Sequence, residues 1–232
     1  IHILLLFYKL LFFYNKKIRD MFNYKKYFQI QSKIEKSQQK CQIIAISKNH
    51  TIVAVQEAID SGVKIFGENR VMEAKDKFEQ IKKSRSDIKL HLTGPLQSNK
   101  VKQAVDLFDV FHTLDREKIA NEFYKHIEKI KNKEIFIQIN TGGEKTKSGI
   151  DPTDLKKFKD YCINDIGLNI VGLMCIPPVE EKPSIHFKLL QKLAQKNNLE
   201  KLSIGMSNDY EEALSFNPTY IRLGTILFGK RI

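Results

Sequence analysis

Residues 41–78 read CQIIAISKNHTIVAVQEAIDSGVKIFGENRVMEAKDKF, and two periods alternate within them. Ile43, Ile44, Ala45 and Ile46 form an unbroken apolar run that stops at Ser47-Lys48. Such a short continuous run marks a strand buried on both faces, as in a parallel sheet. Val53, Val55, Ala58 and Ile59 then follow at helical spacing before a second short run at 64–66. The alternation continues along the chain. Strands are expected at 43–47, 64–66, 89–93, 110–113, 134–139, 169–175, 201–205 and 220–223, with amphipathic segments between them. Leu189, Leu190, Leu193 and Ala194 make one such segment. Asp115, Asp151 and Asn208 or Asp209 stand where helix N-caps belong. Eight strands joined to helices by short connections make a (β/α)8 TIM barrel the expected fold, an α/β architecture, with a doubly wound open sheet as the alternative.

Around this core the composition is that of a globular protein. The chain has 232 residues, 42% hydrophobic and 28% charged, enough to bury a core without staples. No repeat, linker or low-complexity tract interrupts residues 41–232, which are read as a single domain. Cys41, Cys162 and Cys175 form no CxxC pair, so a reducing, cytoplasmic setting is expected and a zinc ribbon is not. His50, His91, His112, His126 and His186 lack metal-ligand spacing, and no metal is expected.

The net charge of +12 is uneven, because residues 1–40 carry nine Lys or Arg against two acids. The cations are 33 Lys and 6 Arg, whereas nucleic-acid readers favour Arg forks on clustered faces. Basic stretches such as Lys82-Lys83 and 129–133 are read as solvated helix faces, and no nucleic-acid partner is expected. Residues 1–14 read IHILLLFYKLLFFY, too short to span a bilayer and with basic residues after the apolar run instead of before it. Residues 1–20 are therefore read as a dispensable extension ahead of Met21, the alternative being a peripheral membrane anchor. Residues 21–40 fit one helix, and no membrane contact is expected for 21–232.

In a barrel of this kind the site lies at the C-terminal ends of the strands. Lys48 closes the first strand there, and burial beside apolar walls lowers a lysine pKa towards a nucleophilic neutral amine. Gly205, Ser207, Gly224 and Thr225 lie after the last two strands, where glycine backbone, hydroxyls and N–H groups suit a phosphate. Together they suggest a ligand with an aldehyde at one end and a phosphate at the other. Arg222, between Ile221 and Leu223, can face a ring nitrogen of such a cofactor, as arginine does for the pyridine of pyridoxal phosphate.

The blocks IAISK (44–48), FGENRVMEAKDK (66–77), HLTGPLQSNK (91–100), HTLDR (112–116), QINTGGEKTKSG (138–149), GLMCIPP (172–178), LSIGMSND (202–209) and IRLGTILFG (221–229) resemble, in order, the pyridoxal phosphate homeostasis family, also called YggS or PROSC. The resemblance implies an alanine racemase N-terminal-like barrel that binds pyridoxal 5′-phosphate as a Schiff base on Lys48. It implies phosphate contacts from Met206, Ser207, Gly224 and Thr225, Arg222 at the pyridine nitrogen and Asn69 beside the cofactor. His91, Asn140 and Met174 match motif positions near the barrel mouth. Asn208 stands where many members have Asp. The family is implied to buffer the cofactor as a monomer without catalysis of its own, with apo-enzymes that need pyridoxal phosphate as acceptors. A racemase-like enzyme is the alternative. With nine residues after Leu223, the tyrosine-bearing second domain of a racemase is not expected. An aldolase using Lys48 does not account for Arg222.

Overall fold

The computed structural model describes residues 21–144 and 147–230. The reading of residues 1–20 lies outside them. The strands are β1 (Gln42–Ile46), β2 (Ile65–Glu68), β3 (Lys89–Leu92), β4 (Val110–Leu114), β5 (Glu134–Gln138), β6 (Ile170–Met174), β7 (Lys201–Ser203) and β8 (Tyr220–Leu223). All pairings are parallel, and β1 pairs with both β2 and β8, so the sheet closes into an eight-stranded barrel and is not the open sheet.

The helices are α1 (Tyr24–Lys36), α2 (Ile52–Asp60), α3 (Val71–Ser84), α4 (Val101–Leu107), α5 (Glu117–Tyr124), α6 (Ile127–Ile130), α7 (Leu155–Asp160), α8 (Pro183–Lys196), α9 (Tyr210–Leu214) and α10 (Thr225–Phe228). The N-terminal α1 precedes the barrel. Asn23 caps it by accepting from the Lys26 N–H at 3.0 Å, and its backbone N–H donates to Leu227 O at 2.7 Å. Phe22 packs on Phe228 with ring centroids 5.2 Å apart, which ties α1 to α10. Among the described residues no helix is long and apolar enough to cross a membrane.

Strand alternation sorts the apolar residues into two cores. Ile43, Ala45, Phe66, Leu90, Ile135, Leu173 and Ile221 face outward and join the helices in one large cluster. Ile44, Ile46, Val110, Phe136, Met174 and Tyr220 face inward and fill the barrel as a second cluster. The register brings Ile44 beside Arg222 and Ala45 beside Leu223, so one residue type on the inner layer of β8 is charged. Two expected caps act differently. Asp115 pairs with Arg116, and Asp151 accepts from the N–H and hydroxyl of Thr153, closing a turn ahead of α7. Both carboxylates have nearer partners than a helix end.

At Gly172 the β6 backbone passes so close to β7 that a Cβ there would lie 2.1 Å from Lys201 O. We expect Gly172→Ala to lower the unfolding free energy by about 1–3 kcal/mol, the usual cost of overpacking. A urea midpoint equal to that of the wild type would show that the β6–β7 contact can relax without cost.

Candidate functional site

At the C-terminal ends of β1, β2, β3, β7 and β8 lies a cavity of about 240 Å³. Lys48, Asn69, Met206, Ser207, Arg222, Gly224 and Thr225 all line it, together with Ile46, Thr93, Ile176 and Asn208. The structure thus brings together these seven residues singled out from the sequence, whereas Gly205, with φ at +85°, packs against Ala213 and Tyr210 and does not line the cavity. The wall carries two cations, Lys48 and Arg222, and none of these lining residues is a carboxylate. Ile46, Ile176 and Met206 give it apolar flanks.

Lys48 follows β1 in a tight turn held by the next βα unit. The Ser47 hydroxyl donates to Glu68 Oε1 at 2.6 Å, and the Lys77 ammonium donates to Ser47 O at 2.8 Å. Lys77 also meets Glu68 at 2.6 Å and Glu73 at 2.9 Å. Burial pushes the Glu68 carboxyl upward, and the Lys77 ammonium beside it draws it back. Asn69 comes one residue after β2. The Thr93 hydroxyl donates to Asn69 Oδ1 at 3.0 Å, which fixes the amide. Gly94 permits this, since a Cβ there would lie 2.5–2.6 Å from the Asn69 O, Cα and Cβ.

Arg222 enters from β8 and is almost wholly buried. Its Nη1 donates to Ser203 O at 2.6 Å and to Ser203 Oγ at 2.8 Å, and its Nη2 donates to Cys175 O at 2.9 Å. Every partner is neutral. The network continues inward: His112 Nδ1 lies 2.9 Å from Ser203 Oγ, and His112 Nε2 lies 2.9 Å from His91 Nδ1. Ser203 Oγ thus accepts from Arg222 and shares a second hydrogen bond with His112 Nδ1, and the two imidazoles share the next one along the chain. His112 stacks on Phe136 at 4.6 Å with rings 4° from parallel. Burial drives the pKa of His91 down to about 3 and that of His112 well below its usual value.

The loops after β7 and β8 face each other. Ser207 Oγ accepts from the Gly224 N–H at 3.3 Å and from the Ile226 N–H at 3.4 Å, so hydroxyl and amide donors converge on one corner. Asp209 accepts the Met206 N–H, which folds the 206–209 loop on itself, and burial raises the pKa of its carboxyl. Its side chain therefore serves that loop and does not cap α9.

Other residues lie elsewhere. His91 and Met174 are buried inside the barrel, below the cavity, and the Asn140 amide donates to Glu144 O at 2.9 Å. Cys175 is buried, and desolvation pushes its thiol up to about 12. Reading the sequence alone misses Thr93, Ser203, His112, Glu68 and Lys77. The inward alternation of β3, β4 and β7 marks the first three. The pairing of Glu68 with Lys77 has no local signal beyond the four-residue step from Glu73 to Lys77.

Residues 26–231 match the family described as alanine racemase, N-terminal domain. The pyridoxal phosphate homeostasis protein of Vibrio cholerae serotype O1 is 37% identical over 222 residues, spanning 87% of this chain and 93% of that protein. The structure of PipY from Synechococcus elongatus PCC7942 with PLP bound is similar at a TM-score of 0.78 and 31% identity, over 89% of this chain and 99% of that one. Alanine racemase from Corynebacterium glutamicum shares the fold at a TM-score of 0.60 and 17% identity, over 81% of this chain and 55% of its own.

The neutral histidine pair makes stability depend on pH. The pKa of His91 is depressed from 6.5 to about 3 on folding, so the unfolded chain binds more protons in that window. Stability is therefore full above the unfolded value and falls as the pH drops towards the folded one. Compared with the wild type, His91→Met should flatten the stability curve by about 1 kcal/mol per pH unit below about pH 6. Parallel curves for the two proteins in chemical denaturation would show that His91 is charged in the fold.

Proposed function

The chain belongs to the pyridoxal phosphate homeostasis family, within the alanine racemase N-terminal domain family, and from that premise we infer that it binds pyridoxal 5′-phosphate in the cavity at the barrel mouth, with Lys48 as its covalent anchor, and serves cofactor homeostasis without catalysis of its own. The observation that carries this reading is the cavity wall: two cations, no carboxylate among its lining residues, and a corner of hydroxyl and backbone donors. That donor set suits a small anion with a planar ring between apolar flanks. When bound, the cofactor supplies an aldehyde that condenses with a neutral primary amine, releasing water and forming a reversible Schiff base.

Each residue has a task in this reading. Lys48 provides the amine. Ser207, Gly224 and Thr225 hold the phosphate, and Met206 shapes the loop beside them. Asn69, locked by Thr93, borders the ring. Three of the five Arg222 donors are spent on Ser203 and Cys175, which leaves Nε and one Nη2 hydrogen for the ring nitrogen. Arginine does not release its proton, so it donates to that nitrogen and keeps it unprotonated, which weakens the ring as an electron sink.

The absence of a second proton carrier on the wall supports a carrier over a racemase. Inverting a stereocentre needs an acid and a base on opposite faces. Of the cavity's lining residues only Lys48 can exchange a proton, since no Tyr, His, Cys, Asp or Glu is among them. The proposed acceptors of the cofactor are apo-enzymes that depend on it. The three free and buried cysteines fit a reducing cytoplasm.

Incubation with pyridoxal phosphate followed by borohydride should fix the cofactor on Lys48, read by absorbance and peptide mass. Lys48→Ala should keep its unfolding midpoint and lose the fixed adduct. An adduct of equal yield on the variant would move the anchor to another lysine. Turnover of alanine by the wild type in a racemisation assay would replace the carrier reading with the enzyme.

A further inference from the structure

Lys48 is flanked on both sides by backbone that charged groups hold. Ser47 donates its N–H to Gly67 O at 3.1 Å and its hydroxyl to Glu68, and its carbonyl accepts from Lys77. Asn49, with φ at +61°, donates its N–H to Glu73. The carbonyl of His50 accepts from Lys77 at 3.4 Å, and its N–H donates to Ser47 O at 3.1 Å. The Lys77 ammonium thus shares its protons among four oxygens, two of them backbone carbonyls on either side of Lys48. Glu68 is fully buried and Lys77 nearly so.

For stability alone this is a poor joint. Buried ions lose hydration, and well-packed apolar groups in their place are often as stable or more so. Glu68 Oε2 is left without a hydrogen-bond partner, a further cost. What the charges add is direction: the peptide planes next to Lys48 are held in place at the rim of the cavity that Lys48 lines.

Building on the Schiff-base reading, we propose that Glu68, Glu73 and Lys77 form a positioning clamp that fixes the backbone on both sides of Lys48 and thereby sets how readily its amine meets an aldehyde in the cavity. None of the three lines the cavity. They act through the turn at 47–50.

The test separates the covalent end of the ligand from the rest. Pyridoxal phosphate and 4-deoxypyridoxine 5′-phosphate share ring and phosphate, but the second has a methyl group where the first has its aldehyde. Lys77→Met should bind pyridoxal phosphate about tenfold more weakly, as expected for a misplaced reacting group, while its affinity for the deoxy analogue stays at the wild-type value. Glu73→Gln, at a partly exposed position, should show the same split and serves if Lys77→Met does not fold. Equal losses for both ligands would make the triad a structural joint only, and unchanged affinity for pyridoxal phosphate in the folded variants would also overturn the clamp. A wild type that borohydride cannot fix on Lys48 would overturn the Schiff-base reading and the clamp with it. A fixed wild type with unaffected variants would overturn the clamp alone.

Discussion

A guanidinium buried inside a closed barrel, with no carboxylate hydrogen-bonded to it, constrains everything around it. Arg222 is about 5% exposed and donates only to Ser203 and Cys175. An isolated buried cation is costly unless its donors are met and a counter-charge is supplied. Three of its five donors are met by two carbonyls and one hydroxyl. The hydroxyl is hydrogen-bonded in turn to His112, and His112 to His91. The remaining space is filled by rings: Phe136 stacks on His112, and Tyr220 meets both imidazoles edge-on. One charged residue on β8 thereby dictates the inner faces of β3, β4, β5 and β7.

The counter-charge is absent from the cavity wall. Asp209 acts electrostatically on Arg222 from outside the lining residues, with its carboxylate accepting the Met206 N–H. Lys48 adds a second cation on the same wall. An anionic ligand relieves this imbalance and is favoured by the low dielectric around it. The same imbalance argues against a cationic ligand, and against metal ligation by these side chains, which include no carboxylate, imidazole or thiol.

Much of this was legible in the sequence. The apolar run at 43–46 sets a strand, and a lysine two residues beyond it is carried to the barrel mouth by strand direction alone. Arg222, Gly224 and Thr225 follow from the same reasoning on β8. All eight strands fall within two residues of where periodicity places them, because a parallel barrel strand is buried on both faces and its apolar run is unbroken. What periodicity does not convey is which inward residues meet. His91 and His112 touch because β3 and β4 pair with His91 opposite Val110, and a shift of one residue would turn one ring outward. Asp115 and Asp151 looked like caps because a local rule was applied where Arg116 and Thr153 compete for the carboxylates.

The clamp and the arginine network share one logic on opposite sides of the cavity. Each removes freedom at a basic residue of the cavity wall before any ligand arrives. Lysine and arginine lose up to about 2 kcal/mol of side-chain entropy when ordered, so holding them in advance lowers the cost of binding. The two differ in what they hold. Around Arg222 the head group itself is gripped, and the charge is kept at a fixed point. Around Lys48 the grip falls on the backbone of its neighbours, through Ser47, Asn49 and His50. A group that forms a reversible covalent bond must reach its partner and retreat from it, whereas a group that only donates a hydrogen bond gains from rigidity. The distribution of charge in this barrel follows that difference and is in keeping with the proposal that Lys48 anchors an aldehyde reversibly.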